Sequence, residues 1–248
     1  MKANATVVSW QFPPRCILTV DVLVFGPHAD DIEIGLGGTV ARHVALGHRV
    51  GLCDLTRAEL SSNGTPDLRM KEAADAARAL GAAWRENLGW PDGGIDGGPE
   101  QVRAAVDLIR RARARVIAIP YWRDRHPDHV DASAALRKAI FRSGLRRYET
   151  GMEPWRPEWI CYYFINDSTR PSFVIDVSDH YETKRTALAC YRSQFEGRDD
   201  GTVGTRLNAP SFRQLIESRD AQFGALAGVA FAEGIVVRDP VVRPGLLK

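Results

Sequence analysis

Apolar residues gather in short runs at 20–25, 50–55 and 116–119. Runs of this length read as strands buried on both faces, as in a parallel sheet. Between them the spacing changes to that of helices, predicted at 35–46, 67–80, 101–113 and 131–143. The second is alanine-rich and stops at Gly81, where glycine suits a helix end. A short strand at 86–88 precedes a turn region at 91–98, two further strands are expected at 159–165 and 172–177, and helices at 179–191 and 211–226. Strand and helix alternating in this way predict an α/β fold, a Rossmann-like three-layer sandwich around a mainly parallel sheet.

The length of 248 residues allows one sizeable core, and no linker or low-complexity tract divides it. We therefore expect a single domain over 16–248 behind an N-terminal extension at 1–15. A formal charge of +2, with both signs interspersed, gives no case for nucleic acid or an anionic membrane as partner. The densest basic run, 110–115, ends a predicted helix and is expected to be solvated there. Residues 1–15 lack the pattern of a signal peptide, and no run reaches the roughly 18–20 apolar residues of a membrane span. The expectation is a soluble, cytoplasmic protein. Cys16, Cys53, Cys161 and Cys190 are scattered and form no Cys-x-x-Cys pair, and Cys53 and Cys161 lie in apolar runs as small core residues.

Chemistry concentrates at two places. Gly26-Pro27-His28-Ala29-Asp30-Asp31-Ile32-Glu33-Ile34-Gly35 follows the first strand, and His126-Pro127-Asp128-His129 follows the strand at 116–119. Both clusters emerge where open α/β sheets bind ligands, at strand C-terminal ends. Two histidines and an aspartate from such loops supply three N/O ligands and leave a position for water, as in a hydrolytic zinc site. Taken singly, the Asp-Asp pair also reads as a helix cap and His-Pro-Asp-His as a polar turn. Glycines at 35, 37 and 38 suggest a dinucleotide fingerprint, but His28, Asp30 and Asp31 occupy the turn where phosphate would sit, and carboxylates there repel it.

With these motifs the chain resembles the LmbE-like or PIG-L zinc-dependent deacetylases, whose signature is approximately His-Pro/Ala-Asp-Asp-x-Glu followed by a later His-Pro-Asp-His. The resemblance extends through Cys53-Asp54-Leu55-Thr56, Glu59-Leu60-Ser61-Ser62-Asn63-Gly64-Thr65, Tyr121-Trp122-Arg123-Asp124-Arg125, the segment 172–178, Ser193-Gln194-Phe195 and Ala232-Glu233-Gly234. Within the family it is most similar to the bacillithiol-pathway deacetylases acting on N-acetylglucosaminyl malate. This implies an LmbE-like deacetylase fold and one Zn²⁺ held by His28, Asp31 and His129. A site rich in oxygen and nitrogen also accepts Fe²⁺, Mn²⁺ or Co²⁺. Asp30 is the implied general base and His126 the acid or electrostatic partner of the intermediate and departing amine, with Asp128 orienting that imidazole.

Arg69 and Arg125 are candidates to grip the malate carboxylates, because guanidinium binds carboxylate bidentately. Ser62 and Asn63 are candidates to shape a loop around the sugar. Glu33 reads as a helix N-terminal charge or as support behind the metal ligands, and Trp84, Trp90 and Trp122 as packing residues or apolar contacts for the sugar. The family often carries an active-site tyrosine in the C-terminal segment where Phe212 stands here, and phenylalanine has no hydroxyl to donate. The expected reaction is hydrolysis of an N-acetyl group with release of acetate. Mycothiol-precursor or chitin-disaccharide deacetylation and thiol-conjugate hydrolysis are the related alternatives, and a non-catalytic zinc protein is the rival of another class. The resemblance also implies a homo-oligomer, a hexamer or tetramer.

Overall fold

A computed structural model describes residues 17–196 and 202–242. Its seven strands form one sheet in the order β3-β2-β1-β4-β5-β7-β6. The runs expected as strands become β1 (Val22–Gly26), β2 (Val50–Thr56), β3 (Trp84–Trp90), β4 (Val116–Pro120) and β5 (Trp159–Tyr163), all parallel. β6 (Phe173–Asp176) and β7 (Ala232–Val236) close one edge, with β7 antiparallel to both β5 and β6. The sheet was expected from the pattern, but β7 was not. Its five residues, all buried, include the charged Glu233, which interrupts the apolar run that would mark a strand.

Helices α1 (Asp31–Ala45) and α2 (Pro66–Leu80) cover one face of the sheet, where Ile32, Leu36, Val40, Ala73, Ala76 and Leu80 pack on Val24, Leu52 and Ala118. On the other face lie α3 (Pro99–Ala112) and α4 (Pro127–Ser143), whose Val102, Ala105, Ile109, Ala132 and Leu136 meet Leu23, Phe25, Ile117 and Ile119. α5 (Tyr181–Ala189), the short α6 (Arg192–Phe195), which the sequence pattern did not separate, and α7 (Pro210–Ala227) complete the chain. The order reverses between β1 and β4, so the loops after these two strands flank the switch point where doubly wound sheets leave a crevice.

Both helices that border this crevice begin earlier than the apolar spacing suggests. α1 starts at Asp31 instead of 35, and α4 at Pro127 instead of 131. Proline in the first turn has no amide to leave unpaired, so Pro127 starts the helix immediately after His126 and carries His129 into its first turn. α1 lies very close to its neighbours. A Cβ on Gly35 would stand 2.3 Å from the Tyr163 ring, and one on Gly38 would stand 2.7 Å from Val177 Cβ. The carboxylate of Glu233 accepts the amides of Gly38 and Thr39 at 3.0 and 2.7 Å, while Arg219 donates to the Ile34 carbonyl at 2.7 Å. Lys184, fully buried, neutralises Glu233 and Asp220 at 2.6 Å each.

One expectation is corrected here and one is refined. The basic run at 110–115 is solvated at its far end, where exposed Arg115 pairs with Glu158, but not at its start. Arg110 is buried and donates to the carbonyls of Ser143, Leu145, Tyr148 and Met152, and Arg111 pairs with Glu86 and Asp107. Glu33 stands in the first turn of α1 as expected, but it is fully buried there on Arg85, which also holds Asp54 through two bonds of 2.7 Å. Among the described residues Cys53, Cys161 and Cys190 are free, and no helix is long and apolar enough to cross a membrane. Cys16 and the extension at 1–15 lie outside the described residues.

Candidate metal and catalytic site

The chain leaves β1 through Gly26 and Pro27 and turns sharply enough that the His28 amide donates to Asp31 Oδ2 at 2.9 Å. The same oxygen stands 3.1 Å from His28 Nδ1 and 3.2 Å from Nε2 of His129, which arrives from α4 across the switch point. One carboxylate oxygen thus faces two imidazoles, and donor atoms of His28, Asp31 and His129 all lie within 4.8 Å of one another. Burial opposes ionisation of Asp31, yet His129 and His28 outweigh it and hold the carboxyl far below the usual range. Burial likewise disfavours charge on the two rings, and the carboxylates around them reverse this, raising His129 to about 9 and His28 well above its ordinary value.

The outer nitrogens of both rings are also held. His28 Nε2 lies 3.1 Å from Asp92 Oδ1 and 3.2 Å from Asp128 Oδ2, and His129 Nδ1 lies 3.1 Å from Asp124 Oδ1. Metal-binding histidines are supported in this manner, with a carboxylate on the nitrogen remote from the ion fixing tautomer and ring plane. The donor set, two imidazoles and one carboxylate with supported outer nitrogens, fits a zinc ion.

Asp30 sits beside this group in a backbone conformation with φ +121°, rare for any residue with a side chain. It is buried, with Arg69 Nη2 3.2 Å from Oδ2. Among the described residues no donor meets Oδ2 in hydrogen-bonding geometry. Burial pushes its carboxyl up, Arg69 pulls it down and Asp31 raises it again, leaving it at about 7. A carboxyl poised near neutrality suits a general base.

His126, exposed at the rim, is the residue before α4, and its Nδ1 accepts the Asp128 amide at 3.2 Å. With Nδ1 accepting, the neutral ring carries its proton on Nε2. Partial burial and the neighbouring His129 and His28 hold its pKa low. The ring stacks on that of His129 with centroids 4.7 Å apart.

Several expected roles change. The Asp128 side chain orients His28, not His126, and also accepts the Gly93 amide at 2.9 Å; only the Asp128 backbone touches His126. Arg69 is not held out for a substrate carboxylate. Only 2% exposed, it bonds to the Ala29 carbonyl and Ser61 Oγ and pairs with Asp30. Asn63 is likewise buried, its amide clasping the backbone of Val203 through two bonds of 2.9 Å.

Phe212 packs against Phe195 in the core. Ser62 and Arg125 are exposed, Arg125 between Asp124 and His126. Trp84 and Trp90 are buried, and Trp122 packs between Tyr121, Tyr162 and Arg238. Asp92 was not foreseen as a site residue. Asp124 lay within a segment already noted for its resemblance, but its contact with His129 was not legible there.

Comparison with known proteins points to a family. The profile of the PIG-L, GlcNAc-PI de-N-acetylase, family matches residues 23–140. A conserved protein of Thermus thermophilus shares the structure with a TM-score of 0.84 and 38% identity, over 92% of this chain and 99% of that one. Residues 23–140 are a PIG-L family domain. Among the relatives of this PIG-L chain is the diacetylchitobiose deacetylase of Thermococcus kodakarensis, 28% identical over 86% of this chain and 81% of the relative. Another is a 1D-myo-inositol 2-acetamido-2-deoxy-alpha-D-glucopyranoside deacetylase of Saccharopolyspora erythraea, 28% identical over 75% and 87%. The same fold, at 19% identity and a TM-score of 0.74, covering 93% of this chain and all of the other, serves a 4-carboxy-2-hydroxymuconate hydratase of Pseudomonas putida. The reaction of a PIG-L chain must therefore be argued from its site.

Proposed function

We propose that this PIG-L protein is a zinc-dependent N-deacetylase that hydrolyses the acetamido group of an N-acetylglucosamine conjugate. The observation that carries the reading is the pairing of Asp30, a buried carboxyl near neutrality, with a three-donor group whose histidines are each backed by carboxylates. Zinc held by His28, Asp31 and His129 would act as a Lewis acid toward the acetyl carbonyl and make water more acidic.

Asp30 takes the proton of the attacking water, and Arg69, 3.2 Å from its Oδ2, keeps enough of it ionised at neutral pH to do so. His126 presents its Nε2 proton toward the negative charge of the tetrahedral intermediate, and the proton that Asp30 has taken from water is delivered to the departing amine. Asp92, Asp124 and Asp128 hold the two zinc-binding rings in plane.

For the conjugate itself we infer N-acetylglucosaminyl malate, giving glucosaminyl malate and acetate in bacillithiol biosynthesis. Similarity to the bacillithiol-pathway enzymes supports this, as does the exposed Arg125 beside His126, which is free to meet an aglycone carboxylate. Inositol and chitobiose conjugates, the substrates named for the relatives above, are the alternatives. We place the enzyme in the cytoplasm as a homo-oligomer.

The test is zinc content and acetate release on a panel of N-acetylglucosamine conjugates. His28→Ala, Asp31→Ala and His129→Ala should each lose most of the metal and the activity, since three protein ligands leave none to spare. Full zinc occupancy with wild-type acetate release in all three would refute the assignment, and metal binding without acetate release from any conjugate would favour a non-catalytic zinc protein.

A further inference from the structure

We propose that Asp92 is a positioning residue that fixes the ring of His28 and links that ring to the loop between β2 and α2. The inference rests on the reading of His28, Asp31 and His129 as zinc ligands. Asp92 follows β3 in a Pro-Asp-Gly-Gly turn, and each of its polar groups has a different task. Oδ1 lies 3.1 Å from His28 Nε2, Oδ2 accepts the Leu60 amide at 2.9 Å, and its own amide donates to Glu59 Oε1 at 2.9 Å. One residue therefore joins a zinc-binding imidazole to two consecutive residues of the β2–α2 loop.

That loop is exposed at Glu59, Leu60 and Ser62, and its far end is anchored by the clasp of Asn63 on Val203. The Leu60 side chain, 71% exposed, lies over Gly93, where a Cβ would stand 3.1 Å from its Cδ1. Gly93 has φ +70°, and its amide bonds to Asp128. The turn after β3 is thus shaped to bring the loop and both carboxylates onto one ring.

His28 Nε2 offers one proton to two carboxylates, Asp92 at 3.1 Å and Asp128 at 3.2 Å. Asp128 comes from the first turn of α4 and reaches no loop residue; Asp92 does. The two acceptors therefore overlap in orienting the ring and differ in what else they touch. Removing either should leave the ring partly held, and removing both should release it. Among the described residues, Asp92 is the one that bonds both to the loop and to the zinc-binding ring.

The test is zinc affinity of the metal-free protein by chelator competition, with the visible spectrum of the Co²⁺-loaded protein and KM measured in parallel. Asp92→Ala and Asp128→Ala should each weaken zinc binding about tenfold, the low end of the usual effect of such partners. The double variant should lose more than the product of the two. Asp92→Asn keeps an acceptor oxygen in place and should recover most of the affinity. Asp92→Ala should shift the Co²⁺ bands. Glu59→Ala, which loosens the loop without touching His28, should raise KM and leave the bands and the zinc affinity unchanged. Wild-type zinc affinity and Co²⁺ spectrum in Asp92→Ala would overturn the proposal, as would a loss reproduced in full by Glu59→Ala. If Asp31→Ala also binds zinc like wild type, the ligand assignment itself has failed; if Asp31→Ala loses zinc while Asp92→Ala keeps it, only the role of Asp92 has.

Discussion

Replacing Arg69 with methionine separates two roles for that side chain by their dependence on pH. Its guanidinium lies 3.2 Å from Asp30 Oδ2 with both groups buried, and after burial it is the strongest influence on that carboxyl. At an effective dielectric constant near 20, opposite charges at that distance attract by about 5 kcal/mol, an upper bound before relaxation. The shift usually found for an aspartate beside arginine is about 1–3 pH units. Without Arg69 the carboxyl should titrate higher by about that much, starting from about 7. The acid limb of kcat/KM should move up accordingly, and the rate at pH 7 should fall by about 5- to 500-fold as the ionised fraction shrinks.

The assay is acetate release from pH 5 to 10 at subsaturating substrate, for wild type, Arg69→Met and Arg69→Lys. Activity of the methionine variant should recover at alkaline pH, and lysine, which keeps the charge, should hold the limb nearer its original place. A clamp for substrate carboxylate would behave differently: KM would rise at every pH and the limb would stay put. That outcome would refute the reasoning and restore the expected role in substrate binding.

Asp30→Asn should keep zinc while turnover falls about 10²–10⁴-fold, the scale of general-base loss, and near-normal turnover across pH would exclude Asp30 as the base. Arg125→Ala should reduce kcat/KM for N-acetylglucosaminyl malate by about 10–150-fold, the value of a charge-assisted bond, with little effect on N-acetylglucosamine; equal loss on both would remove Arg125 from aglycone recognition. Arg85→Met leaves Glu33 and Asp54 buried without their cation, so unfolding by denaturant should show a loss of about 3–5 kcal/mol, partly recovered by Glu33→Gln or Asp54→Asn in the same chain, whereas a loss under about 1 kcal/mol would mean the pair is solvated in practice.

Strands β1, β2, β4 and β5 were legible because burial on both faces leaves a largely apolar run; the polar β3 showed only as a short stretch, and in β7 Glu233 and Gly234 break a run of only five residues. Arg69 could have been read correctly. It stands four, seven, eight and eleven residues before Ala73, Ala76, Ala77 and Leu80, on the buried stripe of α2, so its helical position already pointed inward. His126 does stand just before α4, but His129 was placed on a loop because the apolar spacing of α4 begins late, although Pro127 marks the helix start. Asp92 carried no readable signal: in a Pro-Asp-Gly-Gly context an aspartate looks like any turn residue, and its partner His28 is 64 residues away. Arg85 and Glu33 are hidden for the same reason, since a buried ion pair 52 residues apart has no local pattern.

The side chains inserted beside the ladder of α1 bear on when the site can form. Ile34, Gly38 and Thr39 reach partners 185, 195 and 194 residues further along the chain, so the helix that carries Asp31 is completed by groups synthesised much later than it is. Closing loops that long is slow and must precede the contacts that reward it. During synthesis the first βα units can collapse together early, but Gly38 and Thr39 obtain their carboxylate only after Glu233 has emerged. A nascent chain paused before that point would carry both sequence motifs without a finished helix to hold them, and proteases or chaperones would meet it in that form.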